Sequence, residues 1–202
     1  MKVLLVFAHP ESCSLNGALR DVAIQELEAQ GHAVRVSDLY ADGWKSEVDR
    51  VFAYGFAYGV GEHSDQRWGD RFGEGTLAGK RAMLLVTTGG WEEHYAARGV
   101  NGPIDDLLFP INHGILYYPG YDVLPPFVAY RVDRLDAAGF APIAESLRER
   151  MRTLATTPPI PYRQQNGGDY LIPSMQLRPE LGDPDASGFA LHLNDEVRRA
   201  SK

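Results

Sequence analysis

A short apolar strand ending in a polar turn and running straight into a helix narrows the fold of this chain more than any other feature. Lys2-Val-Leu-Leu-Val-Phe-Ala8 reads as a buried strand, and His9-Pro10 stops it. Glu11-Ser-Cys-Ser14 forms the loop, and a helix opens at Leu15-Asn-Gly-Ala-Leu19. Such a junction aims unsatisfied backbone N–H groups at one point, and the positive end of the helix dipole points the same way. In an open parallel sheet, ligands bind just beyond the carboxyl ends of the strands. The turn is therefore an anion site, suited to the phosphate of a nucleotide or flavin.

The next elements extend the same pattern. Leu15, Ala18, Leu19, Val22, Ala23 and Leu27 predict a helix over residues 15–30, closed by Gly31. His32-Ala-Val-Arg-Val-Ser37 alternates as a second strand, completing a βαβ unit. From Tyr40 to Gly79 no buried strand is expected. That stretch offers a short helix at 44–52, a doubled Phe-Ala-Tyr-Gly unit at 52–59 and a polar loop at 62–75. Such a connection is long for an α/β domain. Residues 80–86 predict a buried strand, closed by Thr87-Thr-Gly-Gly90. A helix follows at 103–112, then one strand or two short pieces at 114–118 and 121–124, then a last helix at 141–154. The tail from residue 156 is rich in Pro, Gly and Asn and reads as an extended arm. Residues 1–155 and 156–202 are thus expected to form one domain.

Composition excludes several classes. The chain has 202 residues, 44% hydrophobic and 23% charged, which are ordinary globular values. A net charge of −7 argues against a nucleic-acid partner. One cysteine, Cys13, excludes an internal disulfide framework and fits a reducing cytoplasm. The apolar run from Val3 to Ala8 is too short for a signal core, and no run approaches a membrane span. A soluble, cytoplasmic protein is expected. H-E-x-x-H, C-x-x-C, G-x-S-x-G and Walker patterns are absent from the sequence, and His63 and His94 lack ligand spacing. Glu92-Glu93 and Asp105-Asp106 read as solvated helix-end charges, so metal and hydrolase chemistry are disfavoured.

Two loops carry the candidate chemistry. Thr87-Thr-Gly-Gly90 follows a strand, and its glycines let backbone N–H groups approach a planar or anionic group. Alone it reads as a turn; with the first loop it is expected to face one crevice. His9 either contacts a phosphate or caps the strand, and Ser14 and Asn16 are helix-capping residues with or without a ligand. Tyr95 either donates into the site or packs. Cys13 lies near a helix N-terminus without an identifiable base and is given no catalytic role.

Taken together these residues resemble the flavodoxin-like NAD(P)H:quinone oxidoreductase family, the DT-diaphorase or modulator-of-drug-activity group. The matching pieces are Ala8-His-Pro with Ser14-Leu-Asn16, then Ser37-Asp-Leu-Tyr40, then Asp49-Arg50 with Gly55-Phe-Ala-Tyr58. Gly79-Lys-Arg-Ala82, Thr87-Thr-Gly-Gly90 with Tyr95 and Gly99, and Val123-Leu-Pro-Pro-Phe127 continue them in the family's order. The resemblance implies a three-layer flavodoxin-like α/β fold and a homodimer with tightly bound FAD or FMN. A hydride would pass from NAD(P)H to the flavin and on to a quinone. By motif position His9, Ser14, Leu15 and Asn16 would hold the phosphate side, and Thr87, Gly89 and Gly90 would run along the isoalloxazine. Tyr95 would polarise the ring, and Tyr58 would form a substrate wall across the dimer interface. Asn101 stands where some members carry a histidine that assists charge on reduced flavin; asparagine hydrogen-bonds but does not titrate.

The resemblance also marks a gap. Family members place a third strand, an aromatic loop and a helix between Ser-Asp-Leu-Tyr and Gly-Phe-Ala-Tyr, whereas here 42–50 joins the two directly. The join looks like a deletion that removes the central strand of a 2-1-3-4-5 sheet and one wall of the flavin site. An alternative of a different class follows: a non-catalytic flavodoxin-like remnant, or a regulatory partner of another protein such as an ion-efflux system.

Overall fold

The computed structural model describes residues 1–43, 55–182 and 188–194. The helix expected at 44–52 and most of the junction at 42–50 lie outside them. Two compact units divide the chain, one of residues 1–46, 85–93 and 126–157, the other of 47–84, 94–125 and 158–202.

In the first unit, β1 (Lys2–Phe7) pairs in parallel with β2 (Ala33–Asp38), Lys2 opposite Ala33 and Phe7 opposite Asp38. Helix α1 (Leu15–Ala29) connects them. Ser14 begins α1 by accepting a hydrogen bond from Gly17 N–H at 3.3 Å. Its end is a Schellman turn: His32 N–H donates to the Leu27 carbonyl and Gly31 N–H to that of Glu28, with Gly31 at a φ of 76°. Strand β4 (Leu85–Thr87) pairs in parallel with β6 (Phe127–Ala129), and α3 (Ala137–Arg152) follows, capped by Asp136 on Gly139 N–H at 2.8 Å. The buried stripes Leu19, Val22, Ala23 and Leu27 of α1 and Ala144, Leu147 and Met151 of α3 form the unit's core. Their spacing puts each set on one helix face, and the two helices pack on one another. Arg152 closes the seam on Glu26 at 3.1 Å.

The β1–β2 sheet is buried on one face only. Phe7 is 6% exposed, but Leu4 is 62%, Val6 56% and Val36 40% exposed. A parallel sheet ordinarily carries helices on both faces, which is why its strands are apolar throughout. Among the described residues no ladder joins β1 to β4. A missing central strand would leave this pattern.

In the second unit, β3 (Arg81–Ala82) pairs in parallel with β5 (Asp122–Val123). Helix α2 (Ile104–Ile111) runs into a π-helix (Asn112–Tyr117), and a hairpin of β7 (Tyr170–Leu171) and β8 (Gln176–Leu177) lies in the tail. Three expectations are corrected. Residues 80–86 are not one strand, because their parallel partner is interrupted at Pro125-Pro126, where the ladder lacks amide donors. Residues 114–118 are not a strand: the chain continues α2 without a break, with Asn112 and Tyr117 buried. The last helix starts earlier, where the Asp136 cap places it, and strand β6 has no counterpart in the expectation. Among the described residues no helix is long and apolar enough to cross a membrane.

Candidate functional site

The first loop closes against a glycine whose lack of a side chain the contact requires. A Cβ at Gly17 would lie 1.8 Å from the Ser12 carbonyl oxygen, so the loop folds directly onto the first turn of α1. His9 Nδ1 accepts from Glu11 N–H at 3.1 Å, and Glu11 O accepts from Ser14 N–H at 3.2 Å. The exposed Glu11 carboxylate accepts from Cys13 N–H at 2.9 Å. The amides of Leu15 and Asn16 make no hydrogen bond among the described residues. A helix N-terminus whose first two amides are free of partners among the described residues suits a phosphate. Arg20 anchors this end of the sheet: its guanidinium lies 4.6 Å from the Phe7 ring centre and 3.9 Å from Asp38.

The second loop, after β4, is tied to the turn before α3. Thr88 N–H donates to the Ala129 carbonyl at 2.9 Å, Arg131 N–H to Gly90 at 3.0 Å and Val132 N–H to Thr88 at 3.1 Å. Gly90 N–H donates to Thr88 Oγ1 at 3.2 Å. A Cβ on Gly89 would touch the Asp133 side chain at 3.4 Å, so the open side of this glycine is also a close approach. Thr87 is the last residue of β4, and Gly89 is exposed.

His9, Ser14, Leu15 and Asn16 thus share one strand–helix junction, and Thr87, Gly89 and Gly90 share another, both in the first unit. Tyr95 and Asn101 belong to the second unit and bracket one closed turn, in which Asn101 N–H donates to the His94 carbonyl at 2.9 Å. Tyr95 is half-buried at the end of a 3-10 turn (Glu92–Tyr95), and Asn101 is exposed. Tyr58, also in the second unit, is 46% exposed, its carbonyl accepting from Gly55 N–H at 2.7 Å. Sequence reasoning missed Arg131 and Asp133, because they reach the Gly89 loop from a turn about forty residues downstream, and nothing local marks them. The early glycine of α1 was a signal for the Ser12–Gly17 contact, since glycine is costly in a helix.

A family model described as flavodoxin-like fold matches residues 1–49 and 44–154. A ribosyldihydronicotinamide dehydrogenase-like protein of Penicillium crustosum is 48% identical, covering 98% of this chain and 97% of its own. The chain belongs to the flavodoxin-like quinone oxidoreductase family. The human ribosyldihydronicotinamide dehydrogenase [quinone] is 30% identical over 79% of this chain and 94% of its own. A Klebsiella pneumoniae crystal structure, of a protein assigned as a quinone reductase, superimposes with a TM-score of 0.93 at 49% identity, covering 96% of this chain and 100% of that one. The family match comes in two pieces that overlap at 44–49. The alignment to the Penicillium relative runs over 262 positions, although this chain has 202 residues. The Penicillium relative therefore carries a stretch this chain lacks, and the break in the family match falls on the junction picked out from the sequence.

Proposed function

We propose that the protein is a flavin-dependent reductase that takes a hydride from a dihydronicotinamide, NADH or NADPH, and delivers it to a quinone. Family membership supports this reading, and the observation that carries it is the pair of amides at Leu15 and Asn16, which make no hydrogen bond among the described residues. His9, Ser14, Leu15 and Asn16 would hold the phosphate of FAD or FMN. Thr87, Gly89 and Gly90 would lie along the ring, with their backbone held in place by Ala129, Arg131 and Val132. The flavin, when bound, supplies two-electron chemistry. The Tyr95 hydroxyl would donate toward charge developing on the reduced ring, with Asn101 offering a second, non-titrating donor. Tyr58 would line the quinone site from the second protomer of a homodimer. The relatives favour this reading over a non-catalytic or regulatory one.

The test is direct. Purified protein, or protein reconstituted separately with FAD and FMN, should be yellow and should oxidise NADH or NADPH on addition of a quinone. Chromatography of released flavin distinguishes FAD from FMN, and sedimentation reads the dimer. A colourless preparation that takes up neither flavin overturns the proposal.

A further inference from the structure

The second unit contains a pocket of about 360 Å³ lined by Trp68, Arg71, Phe72, His113, Tyr170 and His192, among others. Its walls are aromatic and ordered by stacking. His113 lies 4.8 Å from Phe72 at an interplanar angle of 25° and 4.6 Å from Phe109 at 13°. Tyr170 stacks on His192 at 17° and bonds its Nδ1 at 2.8 Å. His113 sits on the π-helix, a geometry that recurs at functional positions. Burial, and secondarily His192, push the His113 imidazole down to about 4, and burial, then Arg163, lower His192 as well.

Two arginines line this pocket, and among the described residues only one pairs with a carboxylate. Arg163 is buried and committed to Asp169 at 2.6 Å and to the Leu191 carbonyl at 3.0 Å. Arg71 has no carboxylate partner among the described residues. It makes one hydrogen bond, to the Tyr118 hydroxyl at 3.3 Å, and its Nε is buried without a partner. The neighbouring carboxylates are engaged elsewhere: Asp70 and Glu74 pair with Arg67 at 2.6 and 2.8 Å. A partly desolvated guanidinium left unpaired in an aromatic pocket is a recognition group for a planar anion, because its fork matches a carboxylate or enolate.

We propose that this pocket binds a planar aromatic anion, such as an aromatic carboxylate, with Arg71 pairing the charge and Trp68, Phe72, His113 and Tyr170 enclosing the ring. The volume suits a one- or two-ring arene. The inference stands apart from the reductase reading, since it concerns equilibrium binding without flavin reduction or turnover.

Calorimetry on the full chain at pH 7.5 should show 2-naphthoate binding at least tenfold more tightly than its neutral isostere 2-naphthamide. Arg71→Gln should abolish that preference while leaving 2-naphthamide affinity within twofold. Arg71→Met, whose apolar stem keeps the packing, serves if the glutamine variant does not fold. Equal affinity for the two probes in the wild-type protein overturns the proposal without any variant. So does a preference that survives in both variants, or binding of ADP-ribose, but not 2-naphthoate, in an Arg71-dependent way, which would make the site one for a nucleotide.

Discussion

The Arg131 guanidinium lies 3.7 Å from the centre of the Trp91 ring, while its own N–H donates to Gly90. One residue thus holds the Thr87–Trp91 loop by both backbone and side chain, at a left-handed φ of 58° that costs a non-glycine residue energy. Arg131→Gly removes the cation–π contact, worth about 0.5–1 kcal/mol, and relieves about 1 kcal/mol of backbone strain. Global stability should change by less than about 0.5 kcal/mol, with the loop loosened. Flavin titration should then show weakening of several-fold at an unchanged urea midpoint; unchanged flavin affinity would separate this loop from the cofactor.

Gly17→Ala separates helix propensity from the loop contact. Alanine favours a helix by about 1 kcal/mol over glycine, yet its Cβ meets the Ser12 carbonyl oxygen at 1.8 Å. Backbone must shift, so a net destabilisation of about 1–3 kcal/mol is expected, together with lost flavin occupancy. A variant as stable as the parent would show that the 11–14 loop is not seated on α1.

Tyr95→Phe should lower the pre-steady-state rate of flavin reduction by about tenfold or more, since it removes a donor acting on developing charge. Flavin affinity should stay within about twofold. Stopped-flow traces matching the wild type would rule out the role given to this hydroxyl.

His113 predicts an acid-sensitive second unit. In the unfolded chain its imidazole takes up a proton near 6.5, in the folded state only near 4. Between those values the unfolded state binds more protons, so stability falls as pH drops from 6.5 to 4 and levels off below. The full shift would be about 3 kcal/mol, reduced to roughly 1–2 because the ring is partly solvated. His113→Phe keeps the stacks on Phe72 and Phe109 and should flatten this part of the profile. Urea midpoints at pH 7 and 4.5 check it, and parallel profiles for the two proteins would count against a buried neutral histidine.

Local chemistry made the first unit readable in the sequence. Ser14 caps α1, Gly31 ends it, and the apolar period of 15–27 matches the buried face because each of these acts over a few residues. The same locality made 80–86 and 114–118 misleading. An apolar run says strand, yet whether it pairs as one ladder depends on the partner strand, and Pro125-Pro126 interrupts that partner. Gly114 and the aromatic residues after it look extended by propensity, but burial of Asn112 and Tyr117 holds them in a helix.

The sequence by itself determined the strand–turn–helix, the glycine loop after β4, the family and the place where a piece of it is absent, since motifs and spacing are properties of neighbours along a chain. Tertiary structure alone decided that Arg131 braces the glycine loop, that one face of the β1–β2 sheet stands open, and that Arg71 meets aromatic rings but no counter-charge among the described residues. These depend on which distant segments meet, and in the last case on which carboxylates were already taken, so no local pattern encodes them.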